Sequence, residues 1–397
     1  MNQLSDRLNS LSPSETLAMS QKSNELKAQG IDVINLSVGE PDFFTPDHIK
    51  TAAKKAIDDN FSFYSPVPGY MPLRKAIAAK LKNENGLDYK PEQIVCSNGA
   101  KQSVCNTLLC IIGPEDEVII PAPYWVSYIE MVKLAEGKSV IIPAGLEQNF
   151  KITPAQLEAA ITPKTKAIIL CSPSNPTGSV YSKEELKGLV DVLVKYPNII
   201  VIADEIYEHI NYIGKHESIA QFPEIKERVA LINGVSKAYA MTGWRLGFVA
   251  APEWLAKASN KLQGQYTSGP SSIAQKAAEA AFAGDQAPVE EMRKAFERRR
   301  NLVIELVKNI PGLECNVPDG AFYVFPKCDS YFGKSFGDRK INDSADLAMY
   351  LLEEGHVACV GGVAFGAPEC IRMSYATSDE NLVEAFKRIK QTLAKLK

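Results

Sequence analysis

The segment Ile199-Ile200-Val201-Ile202-Ala203-Asp204-Glu205-Ile206-Tyr207 runs through five apolar residues and then, without a spacer, reaches an acid. A run with no polar alternation suits a strand covered on both faces, as in a parallel sheet flanked by helices. Outward from it, Gln93–Ser97, Glu117–Pro121, Ser139–Ile142, Ala167–Cys171, Val229–Asn233 and Leu246–Ala250 read as further strands. Helical segments separate most of them, such as Lys101–Ile112 and Ser182–Lys195, the latter opening on a Ser182…Glu185 capping box. This alternation predicts an α/β fold built on a mainly parallel sheet.

After about Ser271 the pattern changes. Pro288–Asn309 places Met292, Phe296, Val303, Leu306, Val307 and Ile310 at helical spacing. A strand candidate (Ala321–Pro326), a helix (Ser344–Glu354), a strand pair near Val357–Val360 and Cys370–Tyr375, and a closing helix follow. We read this as a smaller α+β domain over residues 286–397, with the large domain at 46–285. Residues 1–45 show no strand–helix repeat and are expected to form an N-terminal arm and part of the small domain.

The 397 residues are 45% hydrophobic and 23% charged, with a formal net charge of −3, which gives no reason to expect nucleic-acid or membrane-surface binding. Attraction for acidic substrates must come from a few placed cations. No secretory signal or membrane-length apolar run is evident, and the eight cysteines are scattered without a CxxC pair. A cytoplasmic protein without a metal site or disulfide framework is the expectation.

Candidate chemistry gathers where strands end. Lys237, in Asn233-Gly234-Val235-Ser236-Lys237, follows a strand and a Gly/Ser turn, at the sheet edge where α/β proteins bind ligands. A lysine there can form an imine; alone it would usually be only a solvated charge, and the company of Arg245 is what weakens that reading. Arg245, in Thr242-Gly243-Trp244-Arg245-Leu246-Gly247, suits a phosphate. Asp204 could hold a pyridine nitrogen protonated or be a simple turn acid, with Tyr207 three residues on. In Ser172-Pro173-Ser174-Asn175-Pro176-Thr177-Gly178, the prolines and glycine fix a loop that presents Asn175, unless it is a plain turn.

Ser97-Asn98-Gly99-Ala100-Lys101-Gln102 is a strand-to-helix turn whose free N–H groups make a phosphate cradle. Lys101 opposes the helix dipole there, so it is either merely solvated or faces an anion, and the dipole argument favours the anion. Trp125 could stack on an aromatic ring or fill the core. Arg372, flanked by Ile371 and Met373, needs an anionic partner, either a ligand carboxylate or a structural ion pair.

Taken in series, Ser-Pro-x-Asn-Pro-Thr-Gly, Asp-Glu-x-Tyr, Ser-Lys and Thr-Gly-x-Arg-x-Gly resemble the class I/II aminotransferases, fold-type-I pyridoxal-phosphate (PLP) enzymes. The resemblance runs from Gly39-Glu40-Pro41-Asp42-Phe43 to Arg372 and beyond. It implies a large PLP-binding domain plus a smaller α+β domain. It implies further that Lys237 holds PLP as a Schiff base and later moves the substrate proton. Asp204 would pair with the pyridinium nitrogen, while Asn175 and Tyr207 bond the ring oxygen. Gly99, Ala100, Ser236 and Arg245 would hold the phosphate, beside Lys101, and Trp125 would stack on the ring.

By the same resemblance Arg372 clamps the substrate α-carboxylate, with a backbone contact from Gly39 and with Trp125 and Asn175 bordering the substrate. Tyr64 is similar to the tyrosine that reaches the phosphate of the neighbouring subunit, which implies a homodimer with shared active sites. The bacterial aspartate aminotransferase subgroup is the most similar; there a lysine at the position of Lys101, helped by a serine such as Ser14, reads the distal carboxylate. The implied reaction moves the amino group of L-aspartate, or a similar amino acid, to 2-oxoglutarate by a ping-pong route. Gly361-Gly362 stands where many relatives carry Pro-Gly, implying a looser loop. Ser12 stands where relatives that also accept prephenate carry lysine, which implies no such side activity. The scaffold also serves alanine and aromatic aminotransferases, and lyases that need no 2-oxo acid.

Overall fold

All seven apolar runs form strands of one sheet in the computed structural model, which describes residues 3–397. The first two positions of the expected N-terminal arm lie outside the described residues. The strands are β1 (Ile94–Ser97), β2 (Glu117–Ala122), β3 (Lys138–Pro143), β4 (Thr165–Cys171), β5 (Ile200–Asp204), β6 (Val229–Gly234) and β7 (Gly247–Ala250). Their order is β1-β7-β6-β5-β4-β2-β3, and β7 alone runs against its neighbours. The absence of polar alternation has a direct cause: β5 sends Val201 and Ala203 into one core and Ile200 and Ile202 into the other. Each face is then covered by helices, so neither face tolerates a charge.

Register brings the chemistry to one edge. Cys171 lies opposite Asp204, and Asp204 opposite Ile232, so β4, β5 and β6 end together. The segments that follow them leave from that edge. Gly247, where β7 begins, carries no side chain because a Cβ there would overlap the amide nitrogen of Ala100. The helix Ala100–Ile111 can therefore press its first turn against the sheet end.

A second core is built from later residues. The helix Ala287–Lys308 buries Met292, Phe296, Val303 and Val307, with Ile310 buried just beyond it and Leu306 half-buried. It packs with helices Ser344–Gly355 and Asp379–Leu393 around a three-stranded antiparallel sheet of Val360–Gly361, Ile371–Ser374 and Tyr323–Val324. The expected strand at Val357–Val360 is divided. Val360–Gly361 pairs with Ile371–Ser374, whereas Val357–Ala358 pairs in parallel with Ile34–Asn35. Met19, Val33, Ile34 and Leu36 join this same core, so the N-terminal residues are tied to the C-terminal ones.

Gly361 adopts φ −61°, the value a proline would impose, and lies in the ladder opposite Ile371. The loop is thus packed rather than loose, and a Cβ on Gly362 would overlap the Ala367 carbonyl oxygen. All eight cysteines are free thiols. Among the described residues no helix is long and apolar enough to cross a membrane.

Candidate active site

A cavity of about 500 Å³ opens at the carboxyl edge of the sheet, walled by the ends of β4, β5 and β6, the start of the helix Ala100–Ile111, the N-terminal segment and the strand Ile371–Ser374. Lys237, Asp204, Asn175, Tyr207, Ser236, Arg245, Ala100, Lys101, Trp125, Ser14, Gly39 and Arg372 all line it. Gly99 stands immediately behind, as the N-cap of that helix. Residues spread over most of the chain are therefore collected at one place. Tyr64 is the exception: it is 98% exposed and does not line the cavity of its own chain.

Lys237 leaves β6 through a turn and donates from Nζ to the Gly39 carbonyl at 2.6 Å. The rings of Tyr207 and Phe322 stand 5.7 and 5.9 Å from the amine. Burial pulls its pKa down to about 8, with Arg372 and Arg245 acting in the same sense and Glu40 opposing them. A lysine so placed carries a usable fraction of free amine near neutrality, which a solvated surface lysine lacks. The Gly39 backbone is itself part of the wall, since a Cβ there would stand 2.5 Å from the Tyr323 hydroxyl.

Asp204 is 3% exposed and accepts from the Tyr128 hydroxyl at 2.7 Å and from the Ile206 amide at 3.3 Å. Burial raises its pKa to about 6, against the lowering effect of those two bonds. Asn175 is held in its loop by Ser174 and Gly178 backbone bonds, and its Oδ1 accepts from Arg372 Nη1 at 3.0 Å. The Tyr207 hydroxyl shares a 2.8 Å bond with that of Tyr323.

Arg372 is the least expected neighbour, being only 2% exposed. Its Nη2 donates to the Ser37 carbonyl at 2.5 Å, and the rings of Tyr323 and Phe365 flank the guanidinium at 4.6 and 5.0 Å. It forms no ion pair among the described residues, and its Nε has no partner. Burial alone lowers its pKa, and a cation left so is costly unless an anion enters. The structural ion pair that the sequence left open is absent.

A second anion cradle faces it. At the first turn of Ala100–Ile111 the Ala100 and Lys101 amides have no intrahelical acceptor, whereas Gln102 already donates to the Gly99 carbonyl at 3.0 Å. Arg245, in the left-handed region at φ 55°, donates to the Thr242 and Asn98 carbonyls at 2.8 and 3.2 Å, with no carboxylate among the described residues to neutralise it. Gly99 has φ 83°, and a Cβ on it would overlap the Arg245 guanidinium. Ser236 adds a hydroxyl. Lys101, at the exposed rim, stands 5.0 Å over the Trp125 ring and also pairs with no acid among the described residues. Ser14 lines the same rim, its hydroxyl 2.9 Å from that of Thr16.

These donors fit pyridoxal phosphate. The Gly99 turn, Arg245 and Ser236 suit its phosphate, the free-amine lysine suits its aldehyde, and the buried acid suits its ring nitrogen. Sequence reasoning missed Tyr128 and Tyr323. The signal available for them was that Tyr128 falls three residues after Trp125 and Tyr323 falls in an expected strand.

A family model described as aminotransferase class I and II matches residues 31–389. The chain is 49% identical over 396 residues to an aspartate/prephenate aminotransferase of Cereibacter sphaeroides, covering 99% of each. Among solved structures, it resembles the aspartate aminotransferase from Rhizobium meliloti, with a TM-score of 0.96, 43% identity and all of both chains covered. It also resembles the Thermus thermophilus aspartate aminotransferase with maleate, with a TM-score of 0.93, 40% identity and 99% and 100% coverage of this chain and that one.

Proposed function

Because the chain belongs to the class I and II aminotransferase family, we propose that it moves the amino group of L-aspartate, or a closely similar amino acid, to 2-oxoglutarate in two half-reactions. It is a PLP-dependent aminotransferase of fold type I. PLP, when bound, supplies the electron sink that loosens the amino acid's α-proton and the site that carries the amino group between half-reactions.

The protein's own residues do the rest. Lys237 anchors the cofactor and then takes and returns the α-proton at Nζ, for which a pKa near 8 is suited. The Gly39 carbonyl keeps that amine inside the cavity. Asp204 presents its charge to the ring nitrogen, Asn175 and Tyr207 serve the ring oxygen, and Trp125 covers the ring face. Gly99, Ala100, Ser236 and Arg245 take the phosphate, beside Lys101. Arg372 binds the α-carboxylate, with Gly39, Trp125 and Asn175 bordering the substrate.

One observation carries the dicarboxylic preference: with Arg245 given to the phosphate, Arg372 at the inner wall and Lys101 at the rim are two further cations of the cavity without an acid partner among the described residues. The solved Thermus thermophilus relative holds maleate, a dicarboxylate, which supports the same reading. Ser14 beside Lys101 fits a reader of the distal carboxylate. Prephenate is left out of the proposal because of Ser12. The chain divides into residues 1–45, an N-terminal arm and part of the small domain, a large PLP-binding domain at 46–285 and a smaller domain at 286–397 that carries Arg372. We take the enzyme to be a cytoplasmic homodimer. Tyr64 and Phe63, 98% and 83% exposed, fit a pair that reaches into the site of a second copy.

The test is a panel of amino donors on the purified protein, with and without 2-oxoglutarate. Aspartate should be consumed only when the acceptor is present, and faster than alanine. Release of ammonia without any acceptor would assign a lyase instead.

A further inference from the structure

We propose that Tyr128 is a positioning residue for the cofactor, its hydroxyl fixing the Asp204 carboxylate that receives the ring nitrogen. This rests on the reading that Asp204 meets that nitrogen. Tyr128 stands at the start of the helix Ser127–Leu134 and is 2% exposed. Its hydroxyl donates to Asp204 Oδ2 at 2.7 Å, while Oδ1 keeps only the long 3.3 Å bond from the Ile206 amide. The Tyr128 ring is in turn held edge-on to Trp125, centroids 5.4 Å apart and planes at 89°, and its amide donates to the Trp125 carbonyl at 2.9 Å. The residue read as the stacking platform and the acid read as the nitrogen's partner are therefore joined through one side chain.

The chemistry gives the bond a direction. An ionised carboxylate only accepts, so a phenol at this distance donates to it and favours the charged form. The groups facing Asp204 from the packed elements are few. Glu205, next in the chain, pushes its proton affinity up, and Lys237, in the turn after β6, pulls it down. From β4 comes the Cys171 thiol, itself held protonated with a pKa pushed up to about 12. Burial pushes the Asp204 carboxyl towards neutrality, and the hydroxyl of Tyr128 is the strongest of the groups holding it charged. A phenylalanine would fill the same volume and keep the ring contact with Trp125. A buried hydroxyl is costly without a partner, so its presence here is explained by Asp204.

The test is Tyr128→Phe, read first by PLP titration of the apoenzyme followed in the visible spectrum, over a range of pH. Loss of one charge-assisted hydrogen bond should weaken PLP binding roughly ten- to hundredfold. The acid limb of the binding profile should also move to higher pH, a change that a loss of packing alone does not produce. In an Asp204→Asn background the same substitution should change PLP affinity less than about twofold. Unchanged affinity and an unmoved acid limb in Tyr128→Phe, with Asp204→Asn still weakened, would overturn the role of Tyr128 alone. Wild-type affinity in Asp204→Asn would instead overturn the reading of Asp204 on which it rests. If Tyr128→Phe does not fold, nuclear magnetic resonance of tyrosine-labelled wild type supplies the measurement. One protected hydroxyl proton should be seen that disappears in Asp204→Ala, which leaves no acceptor, and its persistence would refute the bond.

Discussion

Replacing Arg372 with alanine removes a guanidinium that has no acid partner among the described residues. What it keeps in the free protein is a 3.0 Å bond to Asn175 and a 2.5 Å bond to the Ser37 carbonyl, which fix the orientation of its fork. If the fork binds the α-carboxylate through two charge-assisted bonds, each worth about 1.5–3 kcal/mol, the loss is about 3–6 kcal/mol. That corresponds to a fall in kcat/KM of roughly 10²- to 10⁴-fold. Every amino-acid donor carries the same group, so aspartate and alanine should lose similar factors, measured at saturating 2-oxoglutarate.

Stability should respond differently. The variant loses ring contacts but also sheds an uncompensated buried charge, and these effects oppose each other. The melting temperature should move by no more than about 4 °C, the scale of about 1 kcal/mol in a large chain. Arg372→Lys, which keeps the charge but not the fork, should recover part of the activity. Unequal losses, with alanine untouched and only aspartate affected, would refute the reasoning and make Arg372 a reader of the distal carboxylate.

Lys101→Ala should lower kcat/KM for aspartate at least about tenfold more than for alanine, the effect of losing a charged contact to the distal carboxylate; equal losses would make Lys101 a phosphate contact only. Lys80→Met should destabilise the fold by about 3–5 kcal/mol in chemical denaturation, because the Lys80 ammonium is buried against the Glu208 carboxylate. Although burial pushes the Glu208 carboxyl up, Lys80 with His209 and His216 holds it well below the usual range. The pair therefore stabilises above the ordinary carboxylate pKa of about 4.3, and that contribution fades as acid protonates Glu208. The stability gap between variant and wild type should narrow as the pH falls below about 4.3, and a constant gap would show the cost to be packing alone.

Most of the sheet was legible in the sequence because its strands are covered on both faces, which leaves unbroken apolar runs such as Ile199–Ala203. The strand Ile34–Asn35 was not legible. It has two residues, and its partner Val357–Ala358 lies at the other end of the chain, so no local pattern records the pairing. The division of Val357–Val360 followed from the same distant contact. In the candidate site, Lys237, Asp204 and Asn175 could be found because each stands at or just past a strand end. Arg372 was ambiguous from sequence, and its lack of an acid partner among the described residues became apparent only in three dimensions. Tyr128 and Tyr323 were missed because a buried tyrosine announces its ring through apolar neighbours, while its hydroxyl's partner lies far away in sequence.

In the proposed reaction Lys237 both anchors PLP and moves the substrate proton. Turnover of aspartate with 2-oxoglutarate by PLP-loaded Lys237→Ala tests this double role most directly. General acid–base catalysis by one positioned group contributes about 10²- to 10⁴-fold, and loss of the covalent anchor adds to this. The variant should therefore fall at least about 10³-fold below wild type in kcat. A Lys237→Ala enzyme that turns over at the wild-type rate would contradict the account.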